Sequence, residues 1–191
     1  MKCLVFFLTL LSFSINSQID TIRKPNHTII YDQNKRQPIF VSYSILCKSK
    51  DIKYSRTRLD FYREKKYRTS IDQDYVKNEY DKGHMMPYEA VSCDSIVARS
   101  SFSYLNCAMQ HEKLNRNIWR LLELIEKRLG EQNMVYIEIH ILFENKNFTK
   151  SGTQIPSKFI KKIWINGVLK RKYEFLNITP KSNNLKDYEI L

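Results

Sequence analysis

The sequence predicts an α+β fold, and three stretches carry that prediction. Leu114, Ile118, Leu121, Leu122, Ile125 and Leu129 recur at helical spacing and define one apolar face of an amphipathic helix over residues 111–129. Residues 134–143 alternate instead, with Val135, Ile137, Ile139, Ile141 and Phe143 on one side, the pattern of a half-buried strand. Two further apolar runs, residues 159–165 and 168–175, flank Asn166-Gly167, a dipeptide that tolerates the positive φ angles of a tight hairpin turn. A strand-rich segment before the helix and strands after it give an α+β arrangement.

The chain has 191 residues, with no repeat and no Gly/Pro-rich linker, so a single domain over residues 18–191 is expected. Residues 1–17 have a basic start at Lys2, an apolar run from Leu4 to Leu11, and small or polar residues up to Ser17. This is the layout of a cleavable export signal, and the run is too short to span a bilayer. The mature protein is therefore expected to be secreted or periplasmic, without stable membrane association. Residues 18–37 are polar, interrupted by Pro25, and read as a surface wrap ending at Pro38. Residues 39–47, rich in β-branched and aromatic side chains, read as a strand. Residues 48–77 are charged and read as mostly loop, in which Arg56, Arg58, Arg63 and Arg68 alternate with Tyr54, Phe61, Tyr62 and Tyr67. Past the helix, Gly130 stands where a C′ glycine would end it.

Lys and Arg number 32 against 20 Asp and Glu, a formal charge of +12. A surface of this sign favours polyanionic partners. Cys47, Cys93 and Cys107 follow the signal segment, so one disulfide or none is possible, and no Cys/His spacing suggests zinc.

The chemistry-bearing residues fall in two places. Residues 80–87 read Tyr-Asp-Lys-Gly-His-Met-Met-Pro, placed on a turn. Gly83 there permits close approach, His84 can accept a proton near neutral pH, and Asp81 could orient an imidazole or a lysine. In residues 102–123, Asn106, Gln110, Asn115, Trp119 and Glu123 stand out. Asn115, Trp119 and Glu123 lie at i, i+4, i+8, a slowly rotating ridge beside the apolar face, with Asn115 in the helix's first turn, where the backbone field favours anions. Taken singly, each has an ordinary alternative: a surface histidine, a packed tryptophan, a solvated glutamate.

Together they are more specific. Asp81-Lys82-Gly83-His84, Asn106-x-x-Met109-Gln110 and Asn115-x-Asn117-x-Trp119-x-x-Leu122-Glu123 resemble the motifs of the DNA/RNA non-specific endonuclease family, the ββα-metal nucleases. Ile155-Pro156-x-Lys158-Phe159 with Lys161-Lys162 resembles the family's segment before its late strands. The resemblance implies a ββα-metal (His-Me finger) fold: an antiparallel sheet core with a long amphipathic helix carrying the metal ligand. It implies His84 as general base, and Asn115 as sole direct protein ligand of Mg²⁺, with Mn²⁺ as a possible substitute. Glu123 would hold metal-bound water, and Asn106 would orient the histidine segment. Lys82 would contact phosphate, as would Arg58, with Arg56 near enough to be the counterpart. Nucleic acid, DNA or RNA, gripped through backbone phosphates, is the implied partner. Lys82, Met109 and Asn117 replace the family's usual Arg, Pro and Gly. A binding-only relative would have lost His84 or Asn115, and this chain keeps both.

Overall fold

The computed structural model describes residues 18–51, 53–57 and 59–191. The segment read as an export signal, and Arg58, lie outside the described residues. Six strands form one antiparallel sheet in the order β1-β2-β3-β6-β7-β8: β1 Ile19–Lys24, β2 His27–Asp32, β3 Gln37–Ser44, β6 Val135–Leu142, β7 Lys158–Ile165 and β8 Val168–Leu176. A separate two-stranded ribbon pairs β4 (Tyr80–His84) with β5 (Cys107–His111). Helix α1 (Ser95–Ser101) lies between the ribbon strands in sequence. One helical run follows the ribbon: α2 (Glu112–Leu114), a π-helical segment (Asn115–Trp119) and α3 (Arg120–Gly130). The class is α+β, as the periodicities predict. Among the described residues no helix is long and apolar enough to cross a membrane.

The late strands form as expected. Val135, Ile137, Ile139 and Ile141 of β6 are buried, each beside an outward-facing neighbour. Asn166 and Gly167 both adopt positive φ, 50° and 80°, in the turn joining β7 to β8. The helical run also forms, but its inward face differs. Leu114, Ile118 and Leu122 are buried, whereas Leu121 is exposed. The π segment inserts an extra residue into the turn, so from Trp119 onward the inward positions become Trp119, Leu122, Glu126 and Gly130. Trp119 packs edge-on against Phe159 of β7 and Phe175 of β8, with ring centroids 5.5 and 5.7 Å away.

Three expectations are corrected. Residues 18–37 do not wrap the surface but supply β1 and β2. His27, Ile29 and Tyr31 point inward at period two, and the polarity belongs to the exposed edge strand β1 and to the other face of β2. Gly130 is the last residue of α3 rather than a left-handed terminator, since Glu131 after it keeps helical angles. Its constraint is contact: a Cβ there would lie 2.5 Å from Cγ2 of Ile45. Asp81 to His84 stand on a strand, not a turn. Gly83 is required because a Cβ would fall 2.6 Å from Oε1 of Gln110 on the paired strand.

The loop over residues 48–77 is anchored at its start by a Cys47–Cys93 disulfide, and Cys107 is left as a buried thiol. Asn177, in a glycosylation-type triplet, is buried and structural. Its Nδ2 donates to the carbonyls of Met109 and Pro156, and its Oδ1 accepts from His111 N, fastening β8 to the ribbon.

Candidate active site

A pocket opens between the ribbon, the helical run and the charged loop, and His84, Asn115, Glu123, Lys82 and Arg56 all line it. Each reaches it for a local reason. His84 ends β4, and the chain beyond it is clamped by Asn106. Asn106 Nδ2 donates to the carbonyls of Met86 (2.9 Å) and Ser101 (2.8 Å), its Oδ1 accepts from Met86 N, and its carbonyl accepts from Met85 N. Fully buried, Asn106 fixes the histidine segment without touching the ring.

The imidazole is half-buried between Phe61 and Phe102, with ring centroids 4.6 and 4.8 Å away. Its Nε2 is sealed from solvent and has no hydrogen-bond partner. Burial, helped by the Arg56 guanidinium, pulls the His84 pKa down to about 3, so the ring is a neutral proton acceptor at physiological pH.

Asn115 and Glu123 come from the helical run, and the π segment aligns them. Eight residues of regular α-helix would leave them about 80° apart around the axis, whereas one inserted residue takes back about 100° and brings them nearly into line. Both then face the same pocket. The ridge expected at i, i+4, i+8 is thereby rearranged: Trp119 turns into the core and its Nε1 donates to Glu123 Oε1 at 2.9 Å. Glu123 is raised to about 8. Burial is the main cause, with Glu126 and Glu89 adding to it, while Lys161 and the indole N–H oppose it.

Asp81 is reassigned. It orients neither an imidazole nor a lysine. Its Oδ2 accepts from Asn115 Nδ2 at 2.9 Å and from Arg116 Nε at 2.9 Å, while Oδ1 accepts from Arg116 Nη2 at 2.6 Å. Side chains alternate along β4, so Asp81 lies on the opposite face of the strand from Lys82 and His84. A carboxylate can only accept, so it fixes which end of the Asn115 amide faces the pocket. Nδ2 is committed to Asp81, and Oδ1 accepts no hydrogen bond from any described residue. This hard neutral oxygen, with the Glu123 carboxylate facing the same space, suits a cation that keeps most of its waters. No cluster of three or more His, Cys, Asp or Glu side chains able to hold a metal exists among the described residues.

Lys82 Nζ pairs with Asp72 and sits over the rings of Phe61, Tyr75 and Tyr104 at 5.4–6.0 Å. Arg56 lies over Tyr88 and Phe102 at 5.9 and 5.6 Å and 3.7 Å from Glu89. The structure thus brings Arg56 to the pocket beside His84. Sequence reasoning missed Arg116, the aromatic clasp on His84, and the fully buried pair Glu126 and Lys161 behind Trp119. A signal for that pair was present: Lys161 occupies an inward position of β7 between Phe159 and Ile163.

An antiparallel sheet carrying a ribbon-and-helix finger, with a histidine and an asparagine amide lining one pocket, is the arrangement of a ββα-metal nuclease. The family model for DNA/RNA non-specific endonuclease matches residues 8–188, and the chain belongs to that family of endonucleases. Among solved structures, a chain from the crystal structure of the EndoG/EndoGI complex is similar with a TM-score of 0.78 at 20% identity, covering 90% of this chain and 80% of that one. No curated protein matches.

Proposed function

We propose that the protein is an exported, Mg²⁺-dependent endonuclease that hydrolyses phosphodiester bonds in DNA or RNA without regard to sugar or sequence, leaving 5′-phosphates. The observation carrying this reading is the convergence on one pocket of an uncharged His84 and an Asn115 amide whose nitrogen is held by Asp81, leaving its oxygen free.

His84 takes a proton from the attacking water. Kept neutral by burial, it needs no prior deprotonation at pH 7. Asn106 holds the backbone after His84, so the ring stays on the attack side. Asn115 Oδ1 and, through water, Glu123 would hold the ion, which as a Lewis acid would relieve charge at phosphorus and at the departing oxygen. Asp81 keeps the Asn115 amide in register. Arg56 and Lys82 meet neighbouring phosphates through charge, so binding should weaken steeply with salt. Lys82, lacking the two-pronged fork of an arginine, acts as a point charge. The export signal would place the mature enzyme in the periplasm or outside the cell.

The test is incubation of the protein with plasmid DNA and with total RNA, in Mg²⁺, Mn²⁺ or EDTA, beside His84→Ala. Metal-dependent degradation abolished in His84→Ala supports the proposal. Intact substrates retarded on the gel would instead make this a binding protein.

A further inference from the structure

Three arginines outside the pocket are left without a counter-charge. Arg36 stands in the turn from β2 to β3, and Arg63 and Arg68 in the charged loop. The loop meets that turn where Gln33 Oε1 accepts from Arg68 N at 3.0 Å. The acids of this corner are already engaged. Asp32 pairs with Lys35, Glu64 with Lys24 and Asp72 with Lys82. Asp74 is 3% exposed; its Oδ1 accepts from the hydroxyls of Thr149 and Ser151, and its Oδ2 from the Thr153 hydroxyl and Ile71 N. None of the three guanidinium groups makes an ion pair among the described residues. What holds them is neutral. Arg36 Nη1 donates to Ser151 Oγ at 3.2 Å, and Arg63 Nε to Thr69 Oγ1 at 3.4 Å. Arg36 Nε is sealed from solvent and has no partner.

Exposed arginines are ordinary one at a time, but Arg36 is half-buried and holds φ at 56°. Glycine or asparagine would take that left-handed setting with less strain. Neither the backbone nor an ion pair therefore calls for an arginine at this position. Burial is the first cause that lowers the Arg36 pKa and repulsion from Arg68 the second, with Arg63 adding and Asp74 opposing. Like charges gathered where no acid relieves them raise a field that an anion would satisfy. The trio also connects to the pocket. Lys82 lines it and pairs with Asp72, whose carboxyl is held below the usual range by Lys82, by Tyr104 and also by Arg63. Cations thus continue from Arg56 and Lys82, past Asp72, to Arg63 and on to Arg68 and Arg36.

We propose that Arg36, Arg63 and Arg68 form a second backbone-phosphate station, which grips the nucleic acid beyond the scissile phosphate and favours long substrates over short ones. This rests on the reading of nucleic acid as the substrate. A planar guanidinium presents paired N–H groups that match two oxygens of a phosphate. Arg63 and Arg68 are exposed and free to make that contact, while Arg36 adds its charge from a fixed position in the turn. The station reads charge and spacing, so it serves any sequence.

The experiment measures binding of a duplex of about thirty base pairs by metal-free His84→Ala protein over a range of salt concentrations. Adding Arg63→Gln/Arg68→Gln, both at exposed positions, should weaken binding about tenfold near physiological salt. The slope of log affinity against log salt should become shallower by about 1–2. Arg63→Lys/Arg68→Lys should restore that slope, because the slope counts charges. Lys170→Gln/Lys186→Gln removes the same charge at and beside β8, the opposite edge of the sheet, and should weaken binding no more than about twofold. With His84 in place, the preference for plasmid over a trinucleotide should fall about tenfold in the Gln pair, through KM rather than kcat. An unchanged affinity and slope, a loss equalled by the β8 control, or a loss that lysine fails to restore overturns the proposal. Binding is read without turnover. A protein that grips duplex through these arginines yet cleaves nothing would sink the nuclease reading alone, and one that binds no duplex would sink both.

Discussion

Two histidines with sealed, unpartnered ring nitrogens sit in the two sheets of this molecule and look alike until their surroundings are compared. His27 on β2 is 4% exposed, and both of its ring nitrogens lack partners. His84 on β4 has a sealed, unpartnered Nε2. Burial lowers both pKa values, His27 to about 4 and His84 to about 3. Yet His27 stands in the six-stranded sheet opposite Tyr43, near the Lys24–Glu64 ion pair, and does not line the pocket that holds His84. His84 shares its pocket with the Asn115 amide, the raised Glu123 carboxyl and five cationic side chains, Arg56 and Lys82 among them. An orphaned imidazole is therefore not a site in itself. What makes one is the set of groups that different elements bring within its reach.

The sharpest break of this comparison is a paired truncation. His84→Ala should lower plasmid cleavage by about 10²–10⁴-fold with the fold intact. His27→Ala, assayed well below its unfolding temperature, should cleave within a factor of two or so of wild type. Equal losses in the two would erase the distinction. Next comes the amide. Asp81→Ala frees Asn115 to rotate, and metal-dependent cleavage should fall about 10–100-fold, partly restored by excess Mg²⁺. Isothermal titration of Mg²⁺ should show the weakened binding directly, and an unchanged affinity would count against the orienting role.

The third concerns stability. Between pH 6.5 and about 4 the unfolded chain protonates at His27 while the folded chain does not. The stabilisation is thus complete above pH 6.5 and is lost as pH falls. From pH 7 to pH 5, His27 alone should cost about 2 kcal/mol in urea unfolding, and His27→Leu should flatten that slope. The smallest effect distinguishes the site groups by pH. With His84 neutral down to about pH 3 and Glu123 raised to about 8, the acid limb of kcat/KM belongs to the carboxylate. Activity should rise about tenfold per pH unit below 8 and level off above it, and a limb near 6.5 would return the titration to histidine.

The same contrast explains what the sequence made legible. The large sheet announces itself where one face is buried and the other wet, as in β6, and where a turn demands positive φ, as at Asn166-Gly167. It stays hidden at β1 and β2, because an exposed edge strand lets polar residues dominate the composition. The ribbon and helix carry no such period. His84, Asn106, Asn115 and Glu123 are readable through the likeness of their motifs to a family, and the structure gathers His84, Asn115 and Glu123 in one pocket with Asn106 clamped behind it. Their couplings were not readable. Nothing local in the chain says that Asp81 reaches Asn115 or Lys161 reaches Glu126, since each pairing is made by the fold. The π segment is equally silent, because one inserted residue leaves the spacing of Asn115 and Glu123 unchanged while turning their directions.

The Cys47–Cys93 bridge spans a sequence separation of 46 residues, and this covalent ring encloses Arg56, Phe61, Asp81, Lys82 and His84. Asn115 and Glu123 lie outside it. The site is thus assembled from a looped half and an unlooped half. In the chain-entropy account, opening a ring of this size forfeits about 4 kcal/mol. Because that account acts through the unfolded chain of a cooperative domain, a reductant would lower the stability of the whole fold, although only one half of the site is looped.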